Sequence, residues 1–125
     1  MKLLLDTHCL IWFFAGNPQL SETGQRLMED SSHQKLISLA SVWEMAIKQS
    51  RGKLTLALPL EDYIRQKTDL IDFFLLPIQL SHLAIVAGLP FYHRDPFDRL
   101  IIAQAIAEKI SVLSYDSALT PTESS

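Results

Sequence analysis

Four short apolar runs are separated along this chain by segments with helical patterns. The runs are 2–6, 35–39, 74–78 and 112–115. Runs of this length and apolarity are typical of strands buried on both faces of a parallel sheet. Their alternation with helices predicts an α/β fold with helices covering both faces of the sheet. In such sheets, ligands bind beyond the carboxyl ends of the strands, so polar residues at those ends are the most informative.

The segments between the runs carry signals for helix starts and stops. Ser21, Ser41 and Ser81 stand at candidate N-cap positions, and Glu44 follows Ser41 at the spacing of a capping box. Pro96 suits the first turn of a final helix that is apolar nearly all round and therefore central. We predict helices over about 9–15, 21–31, 41–50, 59–70, 81–88 and 97–108.

Length and charge set the first limits on function. The chain has 125 residues, which predicts one domain over 1–125, with the polar segment 117–125 as a frayed tail. Its 11 basic and 14 acidic residues give a net charge of −3. That balance excludes a protein that grips nucleic acid by bulk positive charge alone, but it is compatible with nucleic acid bound through metal ions.

Cysteine use and hydropathy indicate a cytoplasmic protein. The single cysteine, Cys9, forms no internal disulfide, and its apolar surroundings favour a buried side chain over a nucleophile. The stretch 73–92 carries no Asp, Glu, Lys or Arg, and it is about as long as a membrane span. Proline, glycine and polar residues interrupt it, so we interpret it as a strand, a turn, a short helix and a loop.

Four acids are placed to face the same edge of the predicted sheet. Asp6 and Asp116 end the first and last strands, while Glu44 and Asp98 lie in the first turns of two helices. Carboxylates gathered in this way repel one another unless a cation lies between them. A divalent ion such as Mg²⁺ prefers oxygen ligands, clamps a phosphate and generates a hydroxide from bound water.

Two hydroxyls lie beside these acids, and each acid also has a structural interpretation. Thr7 and Ser114 are positioned to orient ligands or water. Glu44 precedes Lys48 by four residues, which favours a helix ion pair, and an acid such as Asp98 in a first turn is favoured by the helix dipole. Asp116 is able to cap a turn. Asp6 directly follows three leucines, where an acid costs desolvation unless it has a partner.

Three sequence blocks point to one family of nucleases. They are Leu3–His8, Ser41–Lys48 followed by Gly52–Leu54, and His93–Arg99 with Ala103–Ala105. In this order they resemble the PIN-domain ribonucleases and, more closely, the VapC-type toxins of bacterial toxin–antitoxin pairs. The resemblance covers nearly the whole chain, and the block His-Arg-Asp-Pro-Phe-Asp-Arg is its most specific part.

The resemblance implies a three-layer α/β/α domain that cuts RNA with Mg²⁺ or Mn²⁺, leaving 5′-phosphate and 3′-hydroxyl ends. It also implies a VapB-type antitoxin partner and a homodimer. The family usually continues to a last short strand after its fourth acid. Only nine residues follow Asp116 here, so we expect a parallel sheet of four strands, with a fifth in doubt.

The acidic quartet of the family maps onto Asp6, Glu44, Asp98 and Asp116. We expect Asp6 and Asp98 to bind the metal directly, Asp116 to bind it directly or through water, and Glu44 to hold a water or a second ion. Asp95 competes with Asp98 for the third place. We prefer Asp98, because it stands seven residues before Ala105, as the acid of the family does. Asp95 precedes Pro96 and is suited to cap the helix, with an outer-sphere role.

Basic and aromatic residues near the acids are candidates for RNA contacts. Backbone phosphates would meet the basic side chains of Lys48, Arg51, Lys53 and Arg94. The alternative for these residues is solvent-facing charge. Arg99 either joins them or braces the acids. We expect Trp43 in the core rather than stacked on a base, and Phe91 and Tyr92 remain candidates for stacking.

Other phosphate chemistries fit the sequence less well. Response-regulator receivers need an acidic pair at the end of the first strand, but Asp6 is followed by Thr7. Haloacid-type phosphatases need a second Asp two residues after the first, and His8 stands there. A non-catalytic PIN-like module that only binds a partner is the remaining alternative, and four intact acids argue against it.

Overall fold

The computed structural model of this protein describes residues 1–90 and 95–114, together with the backbone of 118–119. This part of the chain forms five strands and six helices. In chain order they are β1 (Lys2–Leu5), α1 (Thr7–Ala15), α2 (Glu22–Glu29), β2 (Gln34–Ser38), α3 (Leu39–Ser50), α4 (Leu60–Thr68), β3 (Phe73–Leu76), α5 (Leu80–Gly88), α6 (Pro96–Glu108), β4 (Ser111–Leu113) and β5 (Ala118–Leu119).

The sheet has the strand order β3-β2-β1-β4-β5, with β1 at its centre. β1 pairs in parallel with both β2 and β4, and β2 pairs in parallel with β3. Four parallel strands are therefore confirmed. The doubt about a fifth strand was misplaced, since β5 pairs with β4, and it does so antiparallel. The two residues of β5 lie within the segment expected to fray, and the rest of 117–125 is outside the described residues.

Helices cover both faces of the sheet, which makes the three-layer arrangement. Leu3 and Leu5 point to a core cluster that includes Cys9, Leu10 and Met45. The residue between them, Leu4, points to the opposite cluster, formed with residues of β4 and α6. Successive side chains of a strand face opposite sides. A run of three leucines is therefore what a central strand needs when both of its faces are buried.

Two of the three proposed serine caps are wrong. Ser21 does cap α2 and accepts a hydrogen bond from the Gly24 N–H. The cap of α3, however, is Ser38, whose Oγ accepts from the Ala40 N–H, and Ser41 lies one turn inside the helix. The cap of α5 is Gln79 rather than Ser81. Since the N-cap of α3 lies three residues earlier than predicted, Glu44 takes no part in a capping box there.

Two buried clusters of polar contacts tie the layers together. Lys35 on β2 is fully buried, and its ammonium pairs with the Asp72 carboxylate and donates to the Asp30 carbonyl oxygen at 2.7 Å. This cluster lies at the edge where the parallel strands begin. The other cluster centres on Gln104 and lies nearer the opposite edge, where the candidate acids are.

Candidate active site

Asp6 links the end of β1 to the start of α1. Its N–H donates to the Leu113 carbonyl oxygen on β4 at 2.9 Å. Its Oδ1 accepts from the His8 N–H at 2.8 Å, so the carboxylate is the N-cap of α1. The side chain keeps 24% of its surface exposed. An acid that caps a helix in this way is also open to a ligand beyond the carboxyl end of the strand.

The neighbouring thiol is not a nucleophile. Cys9 is fully buried one turn into α1. Burial, with a smaller contribution from the charge of Asp6, raises the pKa of Cys9 from 9.0 to about 12. The thiol therefore stays protonated at neutral pH, and the prediction of a buried cysteine is confirmed.

Glu44 is buried on α3 and forms an ion pair. Lys48 Nζ lies 3.1 Å from Glu44 Oε2, one turn further along the helix. This confirms the predicted spacing of a helix ion pair. It also shows that the ammonium of Lys48 already neutralises this carboxylate, whereas Arg51 and Lys53 lie exposed at the end of α3.

A buried hydrogen bond fixes the start of α1 against α3. Thr7 Oγ1 donates to Ser41 Oγ at 2.9 Å, and both residues are almost fully buried. Thr7 follows Asp6, and Ser41 lies one helical turn before Glu44. The Thr7 hydroxyl, expected to orient a ligand or water, is thus directed at α3, where it sets the relative position of two candidate acids.

Asp98 lies in the first turn of α6. Asp95 caps this helix, as predicted, and its Oδ1 accepts from the N–H groups of Phe97 and Asp98 at 2.8 and 3.2 Å. Arg99 donates to the carbonyl oxygens of residues 86, 89 and 90, so it holds the end of α5. These contacts fix the start of α6 against the end of α5.

Trp43 is exposed, so the prediction that it belongs to the core is wrong. The exposed fraction is 53%. Its ring meets the ring of Phe97 edge-to-face, with centroids 4.9 Å apart. The local pattern of α3 does not reveal this, because the contact comes from α6. It brings the residue before Glu44 against the residue before Asp98.

Gln104 ties α6 to the end of β2 and to the turn after β3, and sequence reasoning missed it. Its Oε1 accepts from Ser38 Oγ, and its Nε2 donates to the Pro77 carbonyl oxygen at 3.3 Å. The nearby His82 is fully buried, accepts the Gln79 N–H at Nδ1 and pairs with Glu108 through Nε2. The signal was available: a lone glutamine amid apolar residues of a central helix needs buried partners.

The remaining predicted positions divide into two groups. Ser114 follows β4 directly and is half-buried, beside the end of β1 to which β4 is paired. The others, Asp116, Arg94, Phe91 and Tyr92, lie outside the described residues. Within 1–90 and 95–114, no three acids, histidines or cysteines form a group that could hold a metal ion by themselves.

The donor types still fit a hard divalent cation. Asp6, Glu44 and Asp98 offer only carboxylate oxygens, which suit Mg²⁺ and Mn²⁺. α3 begins where β2 ends, and it contacts α1 through Thr7 and α6 through Phe97 and Gln104. The three acids are thus carried by elements that are joined directly at the carboxyl edge of the sheet.

The sequence pattern of the PIN domain matches residues 3–122. The chain belongs to the PIN domain family. This confirms the resemblance inferred from the three sequence blocks. PIN domains are generally nucleases, and they generally use divalent metal ions. No protein among the curated sequences matches this PIN domain.

Two solved structures share the fold. One is a toxin–antitoxin complex from Klebsiella pneumoniae, with a TM-score of 0.58 and 21% identity over 88% of this PIN domain and 82% of that chain. The other is VapBC2 from Rickettsia felis bound to a DNA fragment from their promoter. It has a TM-score of 0.63 and 15% identity over 90% of this chain and 86% of that one.

The uncharged stretch that begins at Phe73 is divided, as expected, between β3, a turn and the short α5. Among the described helices, none combines the length and the apolar character that crossing a bilayer requires.

Proposed function

We propose that this PIN domain is a Mg²⁺- or Mn²⁺-dependent endoribonuclease and the toxin of a VapBC-type toxin–antitoxin pair. The observation that carries the proposal is the joint at the carboxyl edge, where buried contacts of Thr7 and Gln104 hold the elements that bear Asp6, Glu44 and Asp98. If each acid had only a local structural role, the elements that carry the three acids would not need to be hydrogen-bonded to one another close to those acids.

Asp6 and Asp98 would bind the ion, with Asp116 binding it directly or through water and Glu44 holding a water or a second ion. When bound, the ion supplies an activated water and neutralises charge on the phosphodiester. Thr7, Ser114 and Asp95 position the acids through their strand and helix ends, and Arg99 holds the chain before α6. Cleavage would leave 5′-phosphate and 3′-hydroxyl ends.

Basic side chains would meet the RNA backbone. Arg51 and Lys53 are exposed at and just after the end of α3, whereas the ammonium of Lys48 is paired with the Glu44 carboxylate. Arg94 completes the set in the proposal. A few phosphate contacts of this kind position an RNA without reading its sequence.

The proposal includes an antitoxin partner, a homodimer and a cytoplasmic location. Both structural neighbours come from toxin–antitoxin systems, which supports a VapB-type partner here. Leu80 and Leu83 lie three residues apart on α5 and are exposed by 83% and 48%, which favours a contact with another chain. RNA and a newly made antitoxin are both met in the cytoplasm.

RNA cleavage with matched carboxylate variants tests the proposal. Asp6→Asn keeps the helix cap because asparagine also caps well, but it removes the charge. We expect cleavage of single-stranded RNA in Mn²⁺, none in EDTA, and a loss with Asp6→Asn. Asp30→Asn is the control, since Asp30 is an exposed acid at the opposite edge. Undiminished cleavage in EDTA or by Asp6→Asn contradicts the proposal.

One observation favours the non-catalytic module. Lys48 already neutralises Glu44, and a site with its own counter-charge needs an ion less. Calorimetric titration with Mn²⁺ separates the two functions. The nuclease binds Mn²⁺ in a way that Asp6→Asn weakens, whereas a module that has lost the site shows no binding that depends on its acids.

A further inference from the structure

Trp43 connects the two helices that carry Glu44 and Asp98, and about half of its surface is exposed. It precedes Glu44 on α3, and it contacts Phe97, which precedes Asp98 on α6. The contact is T-shaped, with an angle of 76° between the rings, and 53% of the Trp43 surface remains exposed. Tryptophan is highly buried on average, so a half-exposed tryptophan on a helix that carries a candidate acid needs an explanation.

We propose that the Trp43 indole is a stacking platform for one nucleobase of a single-stranded RNA, an inference that rests on the ribonuclease function proposed above. Every base has a π-face, so stacking on an aromatic ring tolerates any sequence. The edge-to-face contact with Phe97 restrains the indole in advance, which lowers the entropic cost of binding.

The position of the ring favours a nucleobase over a partner protein. A phosphate held through a metal ion at Asp6 and Asp98 would bring its flanking bases to the surface around those acids. Arg51 follows Trp43 by eight residues, roughly 12 Å along the helix axis. Extended RNA spans that distance in a few nucleotides, so one strand is able to place a base on Trp43 and a phosphate near Arg51.

Binding and fluorescence measurements with Trp43 variants test this proposal. The Asp6→Asn protein in Mg²⁺ binds a short labelled RNA without cutting it. Removing one stacked base costs about 1–3 kcal/mol, so Trp43→Ala should weaken binding roughly 5- to 150-fold. Trp43→Phe should restore most of the affinity, because it keeps a ring.

Fluorescence assigns the effect to the ring itself. The chain has two tryptophans, so Trp12→Phe leaves Trp43 as the sole tryptophan emitter and serves as the control for binding. RNA should quench this emission. In a series of RNAs, each lacks the base at one position but keeps every phosphate. The RNA that lacks the stacked base should fail to quench the Trp43 emission. It should also bind the Trp43→Ala protein as tightly as it binds the protein that retains Trp43.

The outcomes separate this inference from the proposed function. Unchanged RNA affinity of Trp43→Ala, with its melting temperature retained, overturns the stacking role even if cleavage is normal. If Trp43→Ala loses binding to a protein partner but keeps its RNA affinity, the stacking role is overturned in favour of a protein-contact surface. Quenching and Trp43-dependent binding by a wild-type protein that never cuts RNA support stacking and contradict the nuclease.

Discussion

Thr7 Oγ1 donates a 2.9 Å hydrogen bond to Ser41 Oγ, and this bond joins the helices that carry Asp6 and Glu44. Each of these hydroxyls lies within one helical turn of its acid, and water is excluded from both. A buried hydroxyl keeps its geometry because losing its partner costs the full desolvation of the group. The pair therefore acts as a fixed spacer between two acids rather than as a ligand.

Removing this spacer should weaken metal binding. We expect Thr7→Val and Ser41→Ala each to raise the Kd for Mn²⁺ about tenfold, the lower end of effects for residues that orient metal ligands. The Kd of the double variant should be no higher than the higher of the two single-variant Kd values, because the two residues share one bond. Calorimetric titration measures the three Kd values. Additive losses in the double variant would show that the bond is not the cause.

Gln104 should be among the most sensitive polar positions for stability. Gln104→Leu leaves the Ser38 hydroxyl and the Pro77 carbonyl oxygen without this partner, so we expect a loss of about 2–4 kcal/mol in the free energy of unfolding. Gln66→Leu makes the same change on the exposed surface of α4 and should change it by about 0.5 kcal/mol or less. Urea unfolding compares the two, and equal losses would refute the buried network.

Lys48 should compete with metal at Glu44. Lys48→Met removes the ammonium that lies 3.1 Å from the carboxylate and keeps most of the length of the side chain. If Glu44 holds an ion or its water, Mn²⁺ then binds several-fold more tightly, while RNA binding weakens because a cation is lost. Arg51→Met is the control: it should weaken RNA binding without tightening Mn²⁺. A Lys48→Met protein with unchanged Mn²⁺ affinity would place the ion away from Glu44.

The buried thiol makes stability fall at alkaline pH. Cys9 has a pKa near 9.0 when it is exposed by unfolding and about 12 in the folded protein. Its contribution is therefore fully present below pH 9 and is lost as the pH rises toward 12, at about 1.4 kcal/mol per pH unit. Urea unfolding at several pH values should give a shallower alkaline loss for Cys9→Ala than for wild type. Equal slopes would mean that the thiol ionises in the folded state.

The sequence allowed the sheet and its edge to be predicted, because the signals for both are local. Three leucines in succession require burial on both faces, and the acid that follows them lies at the strand end wherever the strand is placed. Asp95 directly before Pro96 identifies a helix start in the same way. The family resemblance then placed the four acids in chain order.

Contacts between distant elements could not be predicted in this way. Ser38 and Ser41 both have side chains suited to an N-cap. Which of them caps α3 depends on where the pairing of β2 with β3 ends, and that pairing extends to Ser38 opposite Leu76. Trp43 fits a buried helical face by spacing, yet its surroundings are set by α6. Lys35 looks like part of an ordinary strand, and its carboxylate partner, Asp72, comes from the distant chain before β3.

The most direct test of the account is the rate at which Asp98→Asn cuts single-stranded RNA at saturating Mn²⁺, compared with wild type. Mutating a residue that only orients metal ligands lowers metal affinity or activity about 10- to 100-fold. Mutating a direct ligand should therefore lower the cleavage rate at least about a hundredfold. We expect that loss of rate, together with 5′-phosphate ends on the wild-type products and an unchanged melting temperature. Cleavage by Asp98→Asn at the wild-type rate would contradict a metal-dependent nuclease built on these acids.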